Sequence, residues 1–209
     1  MTDAASPPRP RWLRPHGRPW ATAAGPERVH DNPWFSVDSY DAVAPTGAPA
    51  RYYVQRYKNV ATGVIPLHED GTVTLVGQWR FPLADYQWEI PEGGAPLHEN
   101  PLEGCRRELR EEAGLDAVHW RLVLQMQLSN STSDEVAMGW LATGLTPCAG
   151  APEATEELAV ARVPFREALG AAARGELRDG ITVAMLFRLH HMAVEGELAP
   201  ALAARVLGR

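Results

Sequence analysis

Apolar and polar residues alternate in several short segments of the chain, a pattern typical of β-strands that bury one face. In the first half of the chain the segments with strand character are residues 52–57, 61–67 and 72–79. The link between the second and third segments ends in Asp70-Gly71, a pair that favours the tight turn of a β-hairpin. The pattern therefore predicts a hairpin ahead of the middle of the chain.

A helical period replaces the alternation in the middle of the chain. Leu102, Cys105, Leu109 and Ala113 recur every three or four residues, and Gly114 supplies a C-terminal stop. Further strands are predicted at residues 87–90, 119–128, 135–142 and 158–163, and helices at 165–174, at 181–194 and after Pro200. The sequence contains no internal repeat. It predicts one α+β domain with a mostly antiparallel or mixed sheet.

The first 33 residues differ from the rest of the chain. They hold seven of the 18 prolines and five arginines, and no helix is predicted because proline removes backbone donors and restricts the preceding residue. One interpretation is a flexible tail, and the other is an arm that packs on a partner subunit. Large aromatic side chains are costly to leave in water, and this stretch and its end carry Trp12, Trp20, Trp34 and Phe35. We expect the last two to dock, and we divide the chain into an arm, 1–33, and a domain, 34–209.

The composition is that of a folded protein, and the net charge limits the classes of partner that it is expected to bind. Of the 209 residues, 45% are hydrophobic and 22% are charged, which excludes a wholly disordered chain. The net charge of −6 predicts no bulk attraction to nucleic acid or to an anionic membrane. Cys105 and Cys148 are too few for a disulfide framework or a cysteine-based zinc site. No membrane segment or secretory signal is expected, so we predict a cytoplasmic protein.

Three carboxylates of the central helix form the first candidate site. Glu108, Glu111 and Glu112 are three and four residues apart and share the face opposite the apolar positions. Their mutual repulsion would be offset by a divalent cation, and hard oxygen ligands of this kind suit Mg²⁺ or Mn²⁺. Arg107 can reach Glu111 one turn on, and a glycine-rich turn at Gly93-Gly94 would let backbone carbonyls approach a ligand. The alternative is a solvated amphipathic helix.

The spacing of the polar and glycine positions decides between these interpretations. The fixed positions are Gly93, Glu99, Arg107-Glu108-Leu109, Glu111-Glu112 and Gly114-Leu115, separated by five, seven, one and one residues. This pattern resembles the signature of the Nudix hydrolase family at every fixed position. The resemblance implies the Nudix α/β/α sandwich with a mixed sheet, here with an N-terminal Pro/Arg-rich extension.

Residues outside the signature resemble one branch of that family. Gln78-Trp79-Arg80 and the run Trp-Glu-Ile-Pro-Glu-Gly-Gly at residues 88–94 are similar to the branch that cleaves ADP-ribose and nucleoside diphosphate sugars. The helix at 181–186 also fits, and the whole resemblance covers about residues 52–194. It implies hydrolysis of a nucleoside diphosphate sugar to a nucleoside monophosphate and a sugar phosphate. It also implies a homodimer whose N-terminal strands complete the neighbour's pocket.

The resemblance further implies roles for individual carboxylates. Glu108 and Glu112 match the metal ligands, with the main-chain carbonyl of Glu92 beside them and Mg²⁺, or Mn²⁺, as the cofactor. Glu111 and Glu112 are the expected catalytic carboxylates, and Glu111 would either bind the metal or be held by Arg107. The positions expected to shape the motif are Gly93, Glu99, Arg107 and Gly114.

The general base that deprotonates the attacking water is expected on a loop after the signature helix. Glu156 is our first candidate, and it shares its loop with Glu153 and Glu157. Asp134 and Glu135 are rivals, although their polar segment is also consistent with a simple turn.

Substrate contacts are expected from five residues. Arg80 offers a guanidinium that matches phosphate oxygens, and Trp34 and Phe35 offer aromatic faces for a base, as does Trp88. Glu135 is the fifth candidate for contact with the substrate.

Two alternatives stay open on the sequence. A Nudix hydrolase could act on another nucleoside diphosphate derivative, such as a coenzyme, a dinucleoside polyphosphate or a capped RNA, although the acidic balance argues against nucleic acid. A Nudix-like domain could also bind a nucleotide as a sensor without turnover. The presence of Glu108, Glu111 and Glu112 argues against the sensor, although fold alone never proves activity.

Overall fold

The computed structural model describes residues 10–13, 15–150 and 157–209. After a 3-10 turn at Arg11–Leu13, the chain forms an antiparallel N-terminal sheet. Its strands are β1 (Ala21–Thr22), β2 (Glu27–Asp31), β3 (Phe35–Val43) and β4 (Pro49–Tyr57). Strand β3 pairs with β1, β2 and β4. Two short strands of the Pro/Arg-rich arm thus pair within their own chain, while a role of the arm on a partner subunit stays a prediction.

A second sheet is mixed and lies at the centre of the fold. Its strands are β5 (Asn59–Pro66), β8 (Glu92–Pro96), β9 (Leu115–Gln127) and β10 (Val136–Pro147). Their order is β8-β5-β10-β9; β5 and β10 run parallel, and the other pairs are antiparallel.

A third, antiparallel sheet has the order β11-β6-β7. Its strands are β6 (Thr72–Arg80), β7 (Asp85–Glu89) and β11 (Ala159–Pro164). The predicted Asp70-Gly71 turn joins β5 to β6, and Gly71 adopts a φ of 84° in it, a conformation that glycine reaches without a steric penalty. The two strands meet at the bridge between Leu67 and Val73 and then enter different sheets, so the extended pairing of a hairpin does not form. A 3-10 turn at Phe81–Leu83 joins β6 to β7 and ends at Ala84.

Four helices complete the fold: α1 (Pro101–Ala113), α2 (Phe165–Ala173), α3 (Gly180–Val194) and α4 (Pro200–Leu207). The Asn100 side chain caps α1 by accepting a hydrogen bond from the backbone N–H of Leu102 at 3.1 Å. Gly114 ends α1 with a φ of 61°, as the stop signal in the sequence predicted. None of the helices in the described part of the chain is long and apolar enough to cross a membrane.

Adjacent residues of β5 point into two separate hydrophobic clusters. Val64 packs with Cys105 and Leu109 of α1, whereas Ile65 belongs to the larger cluster that includes Met185 of α3. The central strand is therefore covered by a helix on each face, which confirms the predicted α+β sandwich with a mixed sheet. Cys105 is fully buried, so its assignment to the core is confirmed.

The structure corrects one local prediction and adds the strands β1, β2 and β3. The glycine-rich turn predicted at Gly93-Gly94 is instead part of strand β8, because Thr62 and Ala61 of β5 pair with these glycines in register. Strand β3 was not predicted. It buries Ser36, Asp38 and Ser39, so the apolar alternation that marks a strand is absent there.

Candidate active site

Helix α1 brings its carboxylates against strand β8. Glu112 is only 5% exposed, and its Oε2 accepts a hydrogen bond from the backbone N–H of Glu92 at 2.9 Å. The side chain of Glu108 is also mostly buried, whereas that of Glu111 is more accessible. The face predicted from spacing is therefore directed at the protein and is not a solvated outer face.

Arg107 holds two of these carboxylates and the strand together. Its Nη1 lies 2.9 Å from Glu111 Oε2, and its Nη2 lies 2.8 Å from Glu108 Oε1. The same Nη2 donates to the carbonyl of Gly94 at 3.1 Å. The contact between Arg107 and Glu111 that the sequence predicted is present, and the guanidinium fixes the position of both carboxylates.

Two glycines allow the close approach of α1 and β8. A Cβ placed on Gly93 would overlap the carboxylate of Glu108, and one placed on Gly104 would lie 2.6 Å from the Cβ of Ala95. Thr62 fixes β8 from the other side, because its Oγ1 donates to the carbonyl of Gly93 at 3.2 Å. A side chain at either glycine would separate the carboxylates from the strand.

A second group of carboxylates lies beside Glu92. One oxygen each of Glu89, Glu92 and Asp179 lies within 4.8 Å of the others. Arg80 pairs with Glu89 through Nε at 3.1 Å and through Nη2, and its Nη2 also lies 3.3 Å from Glu92 Oε1. Gln78 adds a hydrogen bond to Glu89 at 2.9 Å. The guanidinium of Arg80 is thus oriented by carboxylates.

Sequence reasoning missed Glu89 and Asp179 as members of the site. Glu89 stands in the run at 88–94 that pointed to the substrate branch, three residues before Glu92, and this position was the available signal. Asp179 caps α3 by accepting from the backbone N–H of Thr182 at 2.7 Å. Its contact with the other carboxylates depends on how α3 packs against the sheet. A local sequence pattern does not predict this packing.

The crowding of carboxylates changes their protonation. Burial raises the pKa of Glu92 well above its usual value, and the neighbouring Asp179 and Glu89 raise it further, against the opposing effect of Arg80. Burial likewise raises the pKa of Glu89, which is 2% exposed, although Arg80 counteracts the shift. The site therefore stabilises added positive charge.

The oxygen donors present fit a divalent metal. In the described part of the chain, the buried Oε2 of Glu92 has no hydrogen-bond partner, which is costly for a buried polar atom. Carboxylate and carbonyl oxygens are the ligands that Mg²⁺ and Mn²⁺ prefer. Glu89, Glu92 and Asp179 could hold such an ion, and they are a different set from the α1 carboxylates Glu108 and Glu112.

A cavity of about 500 Å³ opens beside these groups. Glu92 and Gly93 line it together with Trp34, Tyr57 and Glu135, and the volume is within the range of small-molecule sites. Trp34 is 66% exposed, so an aromatic face remains available there. Burial, and then the charge of Asp134, raises the pKa of Glu135.

A second cavity of about 540 Å³ adjoins the first. Both are lined by Arg80, Asp179 and Gly180, which form a shared wall. The second cavity is also lined by Pro82 and Leu83 of the β6–β7 connection, by Asp85 and Gln87 of β7, and by Arg178. Glu89, Glu92 and Asp179 therefore stand between two spaces of similar size.

The loop that carries Glu135 is attached to the N-terminal sheet. The backbone N–H of Gln55 donates to Thr132 at 2.8 Å, and that of Asp134 donates back to Gln55 at 3.2 Å. The carboxylate of Asp134 accepts from the backbone N–H of Tyr57 at 3.0 Å and from Arg56 at 3.1 Å. Strand β4 thus fixes one border of the first cavity.

The remaining predicted positions are dispersed. Phe35 packs on the ring of Tyr57, with centroids 6.1 Å apart, and does not line either cavity. Glu99 lies in the turn between β8 and α1, where its backbone N–H donates to Pro96 at 2.8 Å. The candidate bases Glu153 and Glu156 lie outside the described residues.

The sandwich and its carboxylate helix define a Nudix-type hydrolase, and comparison with known proteins agrees. The NUDIX domain family model matches residues 57–186, and the chain belongs to this family. It is thus a pyrophosphohydrolase by class, as the signature predicted.

Individual relatives narrow the comparison. The chain is 30% identical over 169 residues to an ADP-ribose pyrophosphatase of Mycobacterium tuberculosis, covering 78% of this chain and 80% of the relative. It is 27% identical over 169 residues to a GDP-mannose pyrophosphatase of Yersinia enterocolitica, covering 73% and 86%. A solved structure described as an ADP compounds hydrolase has the same fold, with a TM-score of 0.77, 19% identity and coverage of 88% and 100%.

Proposed function

We propose that this protein hydrolyses the diphosphate linkage of ADP-ribose or a related nucleoside diphosphate sugar, in a metal-dependent reaction. The products are a nucleoside monophosphate and a sugar phosphate. The observation that carries the proposal is that Glu108 lies against Gly93 and Glu112 accepts a hydrogen bond from the backbone N–H of Glu92, while Glu92 and Gly93 line the first cavity. The two pyrophosphatase relatives support this substrate class.

The carboxylates of α1 would hold Mg²⁺, with Mn²⁺ as the alternative. Glu108 and Glu112 are the proposed ligands, together with the backbone carbonyl of Glu92. When bound, such a metal polarises phosphoryl oxygens and lowers the pKa of a bound water. Arg107 keeps Glu111 and Glu108 in place on the same face, and Glu111 acts beside the metal ligands.

The chain's own residues supply substrate contacts and a base. Arg80 is the proposed diphosphate contact, because it lines both cavities and a guanidinium favours phosphate oxygens. Glu89 holds its Nε and Nη2 and so fixes the orientation of the group. Trp34 is the proposed stacking surface for the base. Glu156 and Glu135 stay candidates for the general base, and burial raises the pKa of Glu135 above its ordinary value.

The test is release of phosphorylated products from a panel of substrates, with Mg²⁺ and with a chelator. The panel contains ADP-ribose, ADP-glucose, GDP-mannose, UDP-glucose, NADH, a dinucleoside polyphosphate and coenzyme A. Metal-dependent cleavage of a sugar nucleotide to a monophosphate is the expected result. Cleavage of only the other compounds would overturn the substrate class while keeping the reaction.

A binding measurement separates an enzyme from a sensor. Mg²⁺ should raise the thermal unfolding midpoint of the parent protein, because a ligand that binds only the folded state stabilises it. Tight binding of a nucleotide without any turnover would overturn the proposed activity. A homodimer and a cytoplasmic location stay predictions, and the first is tested by sedimentation.

A further inference from the structure

The second cavity is built from polar groups that the hydrolysis mechanism does not use. Asp85 Oδ2 accepts a hydrogen bond from Gln87 Nε2 at 2.7 Å and pairs with the guanidinium of Arg178. Gln87 is buried, whereas Asp85 and Arg178 remain accessible. The cavity therefore presents carboxylate, amide and guanidinium groups, which offer both donors and acceptors to a ligand.

The position of this cavity connects it to the reacting group. Its shared wall with the first cavity contains Arg80, Asp179 and Gly180. The carboxylate of Asp179 caps the N-terminus of α3, so the guanidinium of Arg80 is the group of this wall that favours phosphate oxygens. A diphosphate held at this wall would extend one substituent into each cavity.

The two cavities differ in the chemistry they can recognise. The first offers the rings of Trp34 and Tyr57, which can stack on a base. Among the described residues that line the second cavity, none carries an aromatic ring. A hydroxyl-rich group is matched there by hydrogen bonds, whereas a base would find no face on which to stack.

The segment that carries Asp85 is held in an unusual backbone conformation. Ala84 has a φ of 48° and is the one non-glycine residue with a positive φ in the described part of the chain. This region is disfavoured for residues with a Cβ, and such positions persist where the surrounding structure determines them. The turn directs the next residue, Asp85, to the cavity lining.

We propose that the second cavity binds the sugar of the substrate, through Asp85, Gln87 and Arg178, while the base occupies the first cavity. This inference rests on the proposed function. It adds an assignment of the two halves of the substrate to the two cavities. Discrimination between sugars then depends on the β6–β7 connection and on the residues before α3. The carboxylate helix takes no part in that choice.

The test compares an arginine that lines the second cavity with a matched arginine that does not. Arg178 and Arg174 are similarly exposed, at 58% and 61% for their side chains, and each pairs with a carboxylate. Arg178 lines the second cavity, whereas Arg174 lines neither of the two cavities described above. R178A should lower kcat/KM for ADP-ribose by about fivefold or more, the effect of one lost charge-assisted hydrogen bond. R174A should leave kcat/KM unchanged.

A substrate without the sugar provides the second comparison. On the methyl ester of adenosine diphosphate, R178A should retain the parent kcat/KM within about twofold, since no sugar contact exists to lose. An equal loss on both substrates, or no loss on ADP-ribose, would overturn the assignment.

A binding experiment keeps this test independent of turnover. Ribose 5-phosphate is titrated into the parent and into both variants in the presence of a chelator, and binding is followed by NMR shifts. Binding that R178A weakens and R174A preserves supports the sugar site even if no panel compound is hydrolysed. Binding that is absent, or equal in all three proteins, contradicts it.

Discussion

The side chain of Glu112 accepts a hydrogen bond from the backbone N–H of Glu92, so the last turn of α1 is tied to the first residue of β8. The two residues are twenty positions apart in sequence. Their contact places the main chain of Glu92 next to a proposed metal-binding carboxylate. The catalytic geometry thus depends on the packing of one helix on one strand.

Glu112→Gln should reduce turnover by at least about 100-fold, because the amide keeps a hydrogen-bond acceptor but loses the negative charge that a metal ligand needs. Initial rates with saturating Mg²⁺ measure the effect, and the unfolding midpoint checks the fold. Glu103→Gln is the control, since Glu103 is on the same helix but pairs with Arg106 at the surface. Turnover at the parent rate in Glu112→Gln would contradict the metal assignment.

Gly93→Ala should lower activity by about tenfold or more while changing the free energy of unfolding by less than about 1 kcal/mol. The new methyl group would meet the end of the Glu108 side chain, which can move aside at low cost but then leaves its position in the site. The rate and the urea unfolding curve are measured together. Gly25→Ala, which meets nothing within 4 Å, should change neither rate nor stability appreciably; a large loss of stability in Gly93→Ala would argue against this explanation.

Gly104→Ala should destabilise the protein by about 1–3 kcal/mol, although alanine favours helices over glycine by about 1 kcal/mol. Its Cβ would lie 2.6 Å from the Cβ of Ala95 and 3.2 Å from the backbone Cα of that residue, so α1 must move away from β8. In α2, Gly170→Ala meets only the flexible end of Arg174 at 3.1 Å and should stabilise by about 0.5–1 kcal/mol. Opposite signs in urea unfolding are expected, and equal signs would refute the role of close packing.

Asp70→Asn should cost more stability at neutral than at acid pH. Hydrogen bonds from Thr72, and then the pairing with Arg162, lower the pKa of Asp70 in the folded protein. A lowered pKa contributes stability that is complete above the unfolded value of about 3.9 and is lost as the pH falls towards the folded value. Urea unfolding at about pH 7 and about pH 3 should show a smaller difference from the parent at the lower pH. Glu69→Gln in the same turn is the control, and a difference independent of pH would disprove the linkage.

Local sequence patterns predicted the helix that carries the candidate carboxylates and the turn that precedes β6. The period of Leu102, Cys105 and Leu109 predicted α1, and Gly114 ends that helix as expected. The Asp70-Gly71 turn was equally visible because a single residue pair determines its backbone. The spacing of glutamates on α1 identified the family because the chemistry needs carboxylates at fixed separations.

Features that depend on packing between distant segments could not be derived in this way. The sequence of strand β8 predicts a turn, because its glycines favour neither helix nor strand. The segment forms a strand because it pairs with β5. Glu89 and Asp179 are ninety positions apart, and no periodic pattern brings them together. The second cavity likewise depends on distant segments, because the β6–β7 connection and the start of α3 line it together.

The attachment of the Glu135 loop to strand β4 has a consequence for how selectivity evolves in this chain. The family-matched region begins at residue 57, the last residue of β4. Trp34, which lines the first cavity, precedes this region, and β4, whose last residue donates to Asp134, ends where the region begins. Substitutions in the N-terminal sheet would therefore reshape the first cavity from outside the region that matches the family model. New specificities can arise there while the hydrolytic machinery on α1 stays constant.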